Sequence, residues 1–320
     1  MSDLAADSKV LAISGGVGGA KLALGLAREL SANQLSFVVN TGDDFEHLGL
    51  HISPDIDSVL YGLAQLNDTD RGWGLAAETW SMMEAMANLG GETWFQLGDR
   101  DLATHLFRTQ ALSRGETLSQ ACRQLGLALG VEHLVMPMSD QPVGTVVLTD
   151  EGPMEFQHYF VRRQCQPAVS GIEFSGIDRA SPNPEVMSML EDPALRAVII
   201  CPSNPFVSVD PILGLPGLRN ALKKTSAKII AVSPIVGGAA IKGPAAKMLA
   251  ELGLEVSAAS VCRHYEDFLD SFVIDELDVT LKHSLEELGL EVAVTNTMMT
   301  TLDDKKRLAR FVLDLIKGSP

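Results

Sequence analysis

The sequence predicts an α/β fold, in which a mostly parallel sheet carries helices on both faces and an inserted β-rich lobe. Short apolar runs alternate with amphipathic segments of helical length along most of the 320-residue chain. The first apolar run passes through four glycines into a helix, and the second ends in a pair of carboxylates. This is the order of a βαβ unit with a ligand crevice at its strand ends, so the predicted architecture is Rossmann-like.

The parallel strands are predicted from short runs of apolar and β-branched residues. The runs that indicate central strands are Val10–Ser14, Leu35–Asn40, Ala197–Cys201 and Lys228–Ser233. Two shorter runs, Ser271–Ile274 and Glu291–Val294, are predicted to add strands at an edge.

Helices are predicted where apolar residues recur with the helical period. These segments are Ala20–Ser31, Asp55–Leu66, Ala76–Leu89, Asp101–Thr109, Leu118–Gly130, Pro216–Lys223, Pro244–Leu252 and Asp303–Ile316. They alternate with the central strands, which is the arrangement that a parallel sheet requires.

The middle of the chain predicts a different local structure. Val143–Thr149 and Met154–Phe160 flank Asp150-Glu151-Gly152, which is typical of a hairpin turn. We therefore divide the chain into an N-terminal α/β half with the glycine loop and acid cluster (1–133), a β-rich lobe (134–178) and a C-terminal α/β half (179–320). No repeat or low-complexity linker separates these parts, so one integrated domain is expected.

Composition excludes several classes of function. The formal net charge of −16 argues against a nucleic-acid binder or a binder of anionic membranes, since both need basic patches. The four cysteines form no CxxC pair, which argues against structural zinc and a disulfide framework. No apolar signal core or run of membrane-spanning length is present, so a soluble cytoplasmic protein is expected.

The first glycine-rich turn is a candidate phosphate site. Gly15, Gly16, Gly18 and Gly19 follow the first strand, and Lys21 stands early in the helix. Backbone N–H groups at such a turn approach a phosphate closely, and the helix start adds positive dipole. The segment matches neither the P-loop pattern nor a clean G-x-G-x-x-G. The alternative is a tight βα turn without a ligand.

The second strand ends in a cluster of acids. Asp43 and Asp44 follow Asn40-Thr41-Gly42, and Asp55 and Asp57 come soon after. Carboxylates beside a phosphate site suit Mg²⁺, which binds one or two carboxylates together with substrate phosphates. The alternative for a single acid here is a helix N-cap, for which Ser53-Pro54-Asp55 is suited. His51 between the two acid pairs is a candidate phosphate or proton-transfer group, or a packed histidine.

Four further loops are candidate ligand contacts. Leu97–His105 places Arg100, a residue suited to phosphate or carboxylate, at a helix start. Cys201–Ser208 contains Ser203 and Asn204 at the end of a C-terminal strand, and Ser233–Gly238 repeats this arrangement. Met136–Val143 is either a substrate contact or an ordinary connector.

As an ordered set, these motifs resemble the 2-phospho-L-lactate transferase family of coenzyme F-420 biosynthesis. The resembling segments are S-G-G-V-G-G-A-K-L, V-V-N-T-G-D-D, I-S-P-D-I-D-S-V-L-Y, L-G-D-R-D-L-A-T-H, M-P-M-S-D-Q-P-V, P-S-N-P-F-V-S-V-D-P-I and S-P-I-V-G-G. They extend from Val10 to about Tyr265.

The resemblance implies a reaction and its cofactor. A guanylyl diphosphate ester of a three-carbon acid (lactyl, enolpyruvyl or glyceryl) is the donor, and the deazaflavin Fo is the acceptor. The terminal ribityl hydroxyl of Fo attacks the phosphorus that bears the acid, and GMP leaves. Mg²⁺ is expected as the cofactor, and a homodimer is expected as the assembly.

The resemblance also implies roles for particular residues. The glycine loop and Lys21 are expected to hold the diphosphate, and Ser203 and Asn204 the guanosine. Catalysis and metal binding are expected from Asp43, Asp44 and Asp55, without a division between ligand and base. Fo binding is expected from Asp55, Gln96 and Arg100. At position 96 the family often carries a basic residue, whereas this chain has a neutral amide. Candidates to stack on the flat ring are Trp73 and Trp94.

Two rival functions remain open from the sequence. The glycine loop and the N-T-G-D-D segment are also similar to those of UDP-sugar-binding regulatory proteins of the gluconeogenesis-factor type. An NAD oxidoreductase is the weaker alternative, because the chain lacks the clean dinucleotide fingerprint and has several acids after its second strand. The nucleotide that binds distinguishes these functions.

Overall fold

The computed structural model describes residues 5, 7–240 and 243–317. The strands, in chain order, are β1 (Lys9–Ser14), β2 (Leu35–Val39), β3 (Phe45–His47), β4 (Leu50–Ile52), β5 (Leu134–Pro137), β6 (Gly144–Thr149), β7 (Gly152–Glu155), β8 (Val169–Ser175), β9 (Leu195–Ile200), β10 (Lys228–Val232), β11 (Ile235–Val236), β12 (Ala239–Ala240), β13 (Ser271–Ile274) and β14 (Glu291–Val294). The expectation that no signal core is present concerns the N-terminus, and residues 1–4 and 6 there lie outside the described residues.

The helices surround these strands. In chain order they are α1 (Gly16–Ala27), α2 (Pro54–Ala64), α3 (Ser81–Asn88), α4 (Asp99–Ser113), α5 (Leu118–Ala128), α6 (Pro184–Leu190), α7 (Asp210–Leu213), α8 (Leu218–Lys224), α9 (Ala245–Glu251), α10 (Ala258–Tyr265), α11 (Lys282–Glu286) and α12 (Leu302–Lys317). Single π-helical turns cover His158–Arg162 and Pro205–Val209. Within these described ranges, no helix is long and apolar enough to span a membrane.

Seven parallel strands form the central sheet, in the order β14-β13-β10-β9-β1-β2-β5. The chain starts at β1, moves outward through β2 and β5, and returns to the other side of β1 at β9. The loops that leave β1 and β9 therefore diverge at the carboxyl edge of the sheet. Such a switch point opens a crevice for ligands in doubly wound folds.

Both faces of the sheet are buried, as the apolar runs predict. Along β1, Leu11 and Ile13 pack into one core, while Val10 and Ala12 pack into the other. Helices α1, α2, α5 and α12 cover the second face, and the lobe with α6 to α10 covers the first. The predicted α/β class with helices on both faces is confirmed.

The β-rich lobe is an antiparallel sheet of β6, β7 and β8. It begins later than the predicted boundary at 134, because β5 pairs with β2 in the central sheet through partners such as Val38 and Met136. The run predicted to continue to Phe160 ends as a strand at Glu155 and turns into a π-helical turn. Strand β8 was not predicted, since serine, glycine and glutamate interrupt its apolar residues.

The clearest local difference concerns α1, which begins at Gly16 rather than at the predicted Ala20. Three of the four glycines thus form the first helical turn and not a preceding loop.

The β3–β4 hairpin lies between the acid pair and α2, where no strand was predicted. It packs on Met83 and Leu97 in a small satellite core.

Candidate functional site

A cleft of about 680 Å³ lies at the carboxyl edge of the central sheet. This size suits a nucleotide-sized ligand. Its walls come from the start of α1, the β2–α2 segment, the loops after α2, β9, β10 and β14, and the lobe. The predicted site residues that line it are Gly15, Gly16, Gly18, Lys21, Asp43, Asp55, Gln96, Ser203 and Asn204. Gly19 is buried one residue deeper in α1.

The start of α1 presents backbone donors to this cleft. Gly15 is the N-cap residue, and neither a side-chain cap nor a first-turn acid is present at this helix start. The Gly15 N–H donates to Ser203 Oγ at 3.1 Å, and the Gly16 N–H donates to Asp55. Val17 and Gly18 continue the cleft wall in the first turn. The first two N–H groups therefore have protein partners, and the positive end of the α1 dipole still favours an anion such as phosphate beside them.

Close packing explains why these positions are glycines. A Cβ at Gly15 would lie 2.7 Å from Ser208 Cβ and 2.9 Å from Asp55 Oδ2. At Gly18 a Cβ would lie 2.4 Å from the Pro202 carbonyl oxygen. The glycines therefore let α1 lie directly against the loop after β9 and against Asp55. The missing side chains at Gly15 and Gly18 thus allow two things: α1 packs closely on its neighbours, and a ligand can approach the α1 backbone.

Gly18→Ala is expected to destabilise the protein and to weaken nucleotide binding, because the new methyl group meets a backbone oxygen that belongs to another loop. Overpacking of this type costs about 1–3 kcal/mol. Thermal unfolding and nucleotide titration would measure both effects. Gly62→Ala in α2 is the matched control, since its nearest neighbours lie at 3.7 and 3.9 Å and alanine favours a helix. A Gly18→Ala protein as stable as Gly62→Ala would contradict this account of α1.

Asp55 faces the glycine turn from the first turn of α2. Its Oδ2 accepts a hydrogen bond from Asn40 Nδ2 at 2.9 Å, and the same nitrogen donates to the Val207 carbonyl at 3.1 Å. No side chain caps α2 at Ser53, so the N-cap alternative for this segment is not observed. Asn40 instead ties the end of β2 to Asp55 and to the loop after β9.

Asp43 and Asp55 are buried acids in one wall of the cleft. Burial raises the pKa of Asp43 well above its usual range, and the charge of Asp55 raises it further. Burial also raises the pKa of Asp55 to about 6, against the opposing hydrogen bond from Asn40. Asp43 Oδ1 is buried without a hydrogen-bond partner among the described residues. A divalent cation would satisfy this oxygen and relieve the repulsion between the two acids.

Asp44 lies behind this wall and does not line the cleft. Its Oδ2 accepts hydrogen bonds from Ser53 Oγ at 2.7 Å and from His51 Nε2 at 3.1 Å. Burial raises the pKa of Asp44, and His51 opposes that rise. Asp44 therefore helps to fix the turn into α2, and its assignment as a metal ligand stays a prediction.

Asp57 lines the cleft together with Tyr61, Asp101 and His105, and it belongs to a buried ion-pair network in the cleft wall. The fully buried Arg108 of α4 donates two hydrogen bonds to its carboxylate. His105 Nδ1 lies 3.6 Å from Asp57 Oδ2, and Tyr61 donates to Asp101 Oδ1 at 2.5 Å.

The ligand atoms of Asp57, Asp101 and His105 lie close enough together to hold a metal ion. Arg108 already supplies a positive charge at this position, so we assign the group to an ion-pair network. Arg108 was not among the residues predicted from the sequence. The sequence feature that could have identified it is a cation at helical spacing from Thr104 and Ala111, on the face of α4 that is buried.

The structure separates the residues that were expected to bind the acceptor. Gln96 lines the cleft and is exposed, whereas Arg100 lies outside it and donates from Nη1 to the Ala76 carbonyl at 2.8 Å. Trp73 lines the cleft, whereas Trp94 packs against other aromatic residues in the satellite core. Arg71 also lines the cleft, although it was not predicted from the sequence as a site residue.

The opposite part of the cleft lies near the C-terminal strands. Asn204 accepts from the Phe206 N–H at 3.0 Å, while Ser203 accepts from Gly15 as described above. Residues 297–300, which follow β14, also line this part and were not predicted. Asp140 accepts from the Ser119 N–H and does not line the cleft, as expected if Met136–Val143 is a connector.

Residues 10–311 match the family model described as 2-phospho-L-lactate transferase CofD. The chain belongs to this family. The resemblance stated from the sequence is thereby confirmed, and the protein is a member of a transferase family.

Individual relatives support the same family. The chain is 40% identical to the 2-phospho-L-lactate transferase of Methanosarcina mazei over 95% of this chain and 99% of that protein. It is 36% identical to the phosphoenolpyruvate transferase of Kitasatospora aureofaciens over 96% of this chain and 97% of that protein. The chain is thus similar to relatives that are named after two different groups, 2-phospho-L-lactate and phosphoenolpyruvate.

Solved structures show the fold alone. Two crystal structures of a UPF0052-family protein from Bacillus halodurans superpose with TM-scores of 0.60 and 0.63 at 14% and 16% identity. They cover 97% and 96% of this chain and 99% of the other chain. The α/β architecture of this chain is therefore shared with that protein.

Proposed function

We propose that this chain transfers a phospho-(three-carbon acid) group from a guanylyl diphosphate ester to the terminal ribityl hydroxyl of the deazaflavin Fo, with release of GMP. The observation that carries this proposal is the placement of a glycine-rich helix start beside two buried acids in one cleft. Phosphoryl-type transfer depends mainly on positioning and charge neutralisation, which these elements supply. Membership of the transferase family supports the same reaction class.

The donor is expected to lie across the switch point. The start of α1 and Lys21 would hold its diphosphate, since both line the cleft beside the glycine turn. Ser203 and Asn204 would contact the nucleoside on the side of the C-terminal strands. A donor in this position brings the transferred phosphorus next to Asp43 and Asp55.

The acid pair fits Mg²⁺. The unpartnered Asp43 oxygen and the raised pKa values of Asp43 and Asp55 indicate carboxylates that need a compensating cation. Asp43 would hold the ion, with Asp44 close behind it, which leaves the Asp55 carboxylate beside the ion without a metal bond. Bound Mg²⁺ supplies neutralisation of the charge on the phosphate oxygens.

The chemical step uses a carboxylate of this cluster as the base, and Asp55 is our choice. The ribityl oxygen forms a bond to the phosphorus that bears the acid, and its proton passes to Asp55. The bond from that phosphorus to the bridging oxygen breaks, and GMP carries the electron pair away. A buried carboxyl with a pKa of about 6 is suited to accept this proton near neutral pH.

A coupled assay tests the proposal. The protein with Fo and Mg²⁺ is offered lactyl, enolpyruvyl and glyceryl guanylyl diphosphates separately, and mass spectrometry follows GMP and the phosphorylated deazaflavin. We expect product with at least one donor, and the donor that reacts fastest identifies the three-carbon acid that this protein transfers. Absence of product with every donor, together with tight binding of a UDP-sugar, would support the regulatory alternative. Light scattering in solution tests the accompanying proposal of a homodimer.

A further inference from the structure

Asn40 joins three parts of the cleft wall through one buried side chain. It directly follows β2 and is fully buried, and its backbone N–H donates to the Ser14 carbonyl at 3.1 Å. Its Nδ2 donates to Asp55 Oδ2 at 2.9 Å and to the Val207 carbonyl at 3.1 Å. Its Oδ1 accepts from the Gly42 N–H at 2.8 Å. Both amide hydrogens and the amide oxygen are therefore used.

An amide is the side chain that these three contacts require. The Asp55 carboxylate and the Val207 carbonyl both need a donor, while the Gly42 N–H needs an acceptor. An asparagine provides two donors and an acceptor, whereas an aspartate of the same length provides acceptors and would add a third acid beside Asp43 and Asp55. The surrounding groups also fix which way the amide points, because a reversed amide would place its N–H groups against the Gly42 N–H.

Asn40 restricts how the Asp55 side chain can move. The Asp55 carboxylate is held by the Asn40 amide of the β2 end and by the Gly16 N–H of α1. Rotation about the last side-chain bond of Asp55 would break these hydrogen bonds. A carboxylate that is fixed in this way needs little reorganisation before it accepts a proton, which favours general-base catalysis.

The contact with Val207 connects the same amide to the loop that is expected to hold the donor, Ser203–Ser208, which we call the donor loop. Val207 lies in the π-helical turn Pro205–Val209 and lines the cleft. Single π-helical turns are frequent at functional sites. Asn40 therefore sets the distance between the Asp55 carboxylate and the wall at which the donor is expected to bind.

We propose that Asn40 positions the base of the reaction by holding the Asp55 carboxylate at a fixed distance from the donor loop. Asn40 does not line the cleft, so it acts through Asp55 and does not itself contact the substrates. This inference rests on the proposed function, because it requires that Asp55 accepts the proton of the ribityl hydroxyl. Loss of the Asn40 amide is therefore expected to impair the chemical step and to spare nucleotide binding.

Asn40→Leu tests this role, and Asn183→Leu is the matched control. Asn183 is also buried, does not line the cleft and makes the same set of hydrogen bonds. Its Nδ2 donates to Ser119 Oγ at 3.0 Å and to the Pro137 carbonyl at 3.2 Å, and its Oδ1 accepts from the Glu185 N–H at 3.0 Å. We expect comparable losses of stability in thermal unfolding, because each variant leaves similar buried groups without partners. Only Asn40→Leu is expected to lower kcat, by about 10²-fold.

Two further measurements separate positioning from a purely structural role. Calorimetric titration with GDP in the presence of Mg²⁺ is expected to give Asn40→Leu an affinity close to that of the wild type. In the Asp55→Asn background, the addition of Asn40→Leu is expected to cause no further loss of kcat, because a positioning residue acts only through the group that it positions.

Three results would overturn the role of Asn40 and leave the transferase proposal intact. They are a wild-type kcat in folded Asn40→Leu, a loss of GDP affinity as large as the loss of kcat, and a full further loss of kcat in the Asp55→Asn background. If Asn40→Leu does not fold, the same measurements on Asn40→Ser decide, since serine removes the amide without adding an apolar side chain. A wild-type protein that forms no phosphorylated deazaflavin from any donor would overturn both proposals.

Discussion

Asp55→Asn is expected to lower kcat/KM for transfer by about 10²- to 10⁴-fold, which is the usual contribution of a positioned general base. An asparagine side chain can still accept a hydrogen bond from Asn40 Nδ2, which donates to Asp55 Oδ2 at 2.9 Å, so the local fold is expected to persist. Transfer kinetics at saturating Mg²⁺ measure the effect. Glu78→Gln is a suitable control, because this carboxylate lies outside the cleft and receives the Arg100 and Asp101 N–H groups.

The same variant tests the buried charge through stability. Because the pKa of Asp55 rises from 3.8 to about 6 on folding, the unfolded chain ionises first. Without a divalent cation, the free energy of unfolding is therefore expected to fall as the pH rises from about 4 to 6, by roughly 3 kcal/mol. Asp55→Asn should lack this dependence of stability on pH and be the more stable protein at pH 7.

The kinetic prediction has its own contradicting outcome: wild-type turnover by a folded Asp55→Asn protein would show that Asp55 is not the base.

Arg108→Met is expected to destabilise the protein by about 3–5 kcal/mol, which is the usual cost of breaking a buried pair from one side. Arg108 is fully buried, and burial by itself would lower the pKa of its guanidinium; the charge and hydrogen bonds of Asp57 outweigh this effect and hold the pKa above its usual range. Its loss would leave the Asp57 carboxylate buried without a partner. Chemical denaturation measures the change.

A second variant separates charge from packing in this network. Asp57→Asn combined with Arg108→Met removes both charges, so the double variant is expected to recover much of the lost stability. Arg123→Met is the control for a surface pair, because Arg123 and Glu185 are 55% and 46% exposed. Equal stability losses in Arg108→Met and Arg123→Met would contradict a central role for the buried pair.

The sequence predicted the fold best where a strand is buried on both faces, because such a strand is a continuous apolar run. The strands next to the switch point, such as β1 and β9, are continuous apolar runs, and both were predicted close to their observed bounds. The acids after β2 were predicted to lie near the glycine turn, because the carboxyl ends of parallel strands share one edge. The structure brings Asp43 and Asp55 to that edge.

The sequence was less informative where tertiary contacts determine the outcome. Asp44 and Asp43 are adjacent in sequence, yet only the contacts with His51 and Ser53 show that Asp44 faces away from the cleft. Arg100 and Arg71 are both cations in loops near the site. Hydrogen bonds to Ala76 and Asp68 place the first outside the cleft and the second in its wall. No local pattern contains that information.

The most direct test of the central claim is a single-turnover reaction of the protein with Fo and its preferred guanylyl diphosphate ester, with and without Mg²⁺. Phosphorylated deazaflavin and GMP are quantified together over time. We expect the two products to form in equal amounts and at equal rates, and only when Mg²⁺ is present. Release of GMP without phosphorylated deazaflavin, or full transfer after removal of divalent cations, would contradict the proposed reaction at the Asp43–Asp55 site.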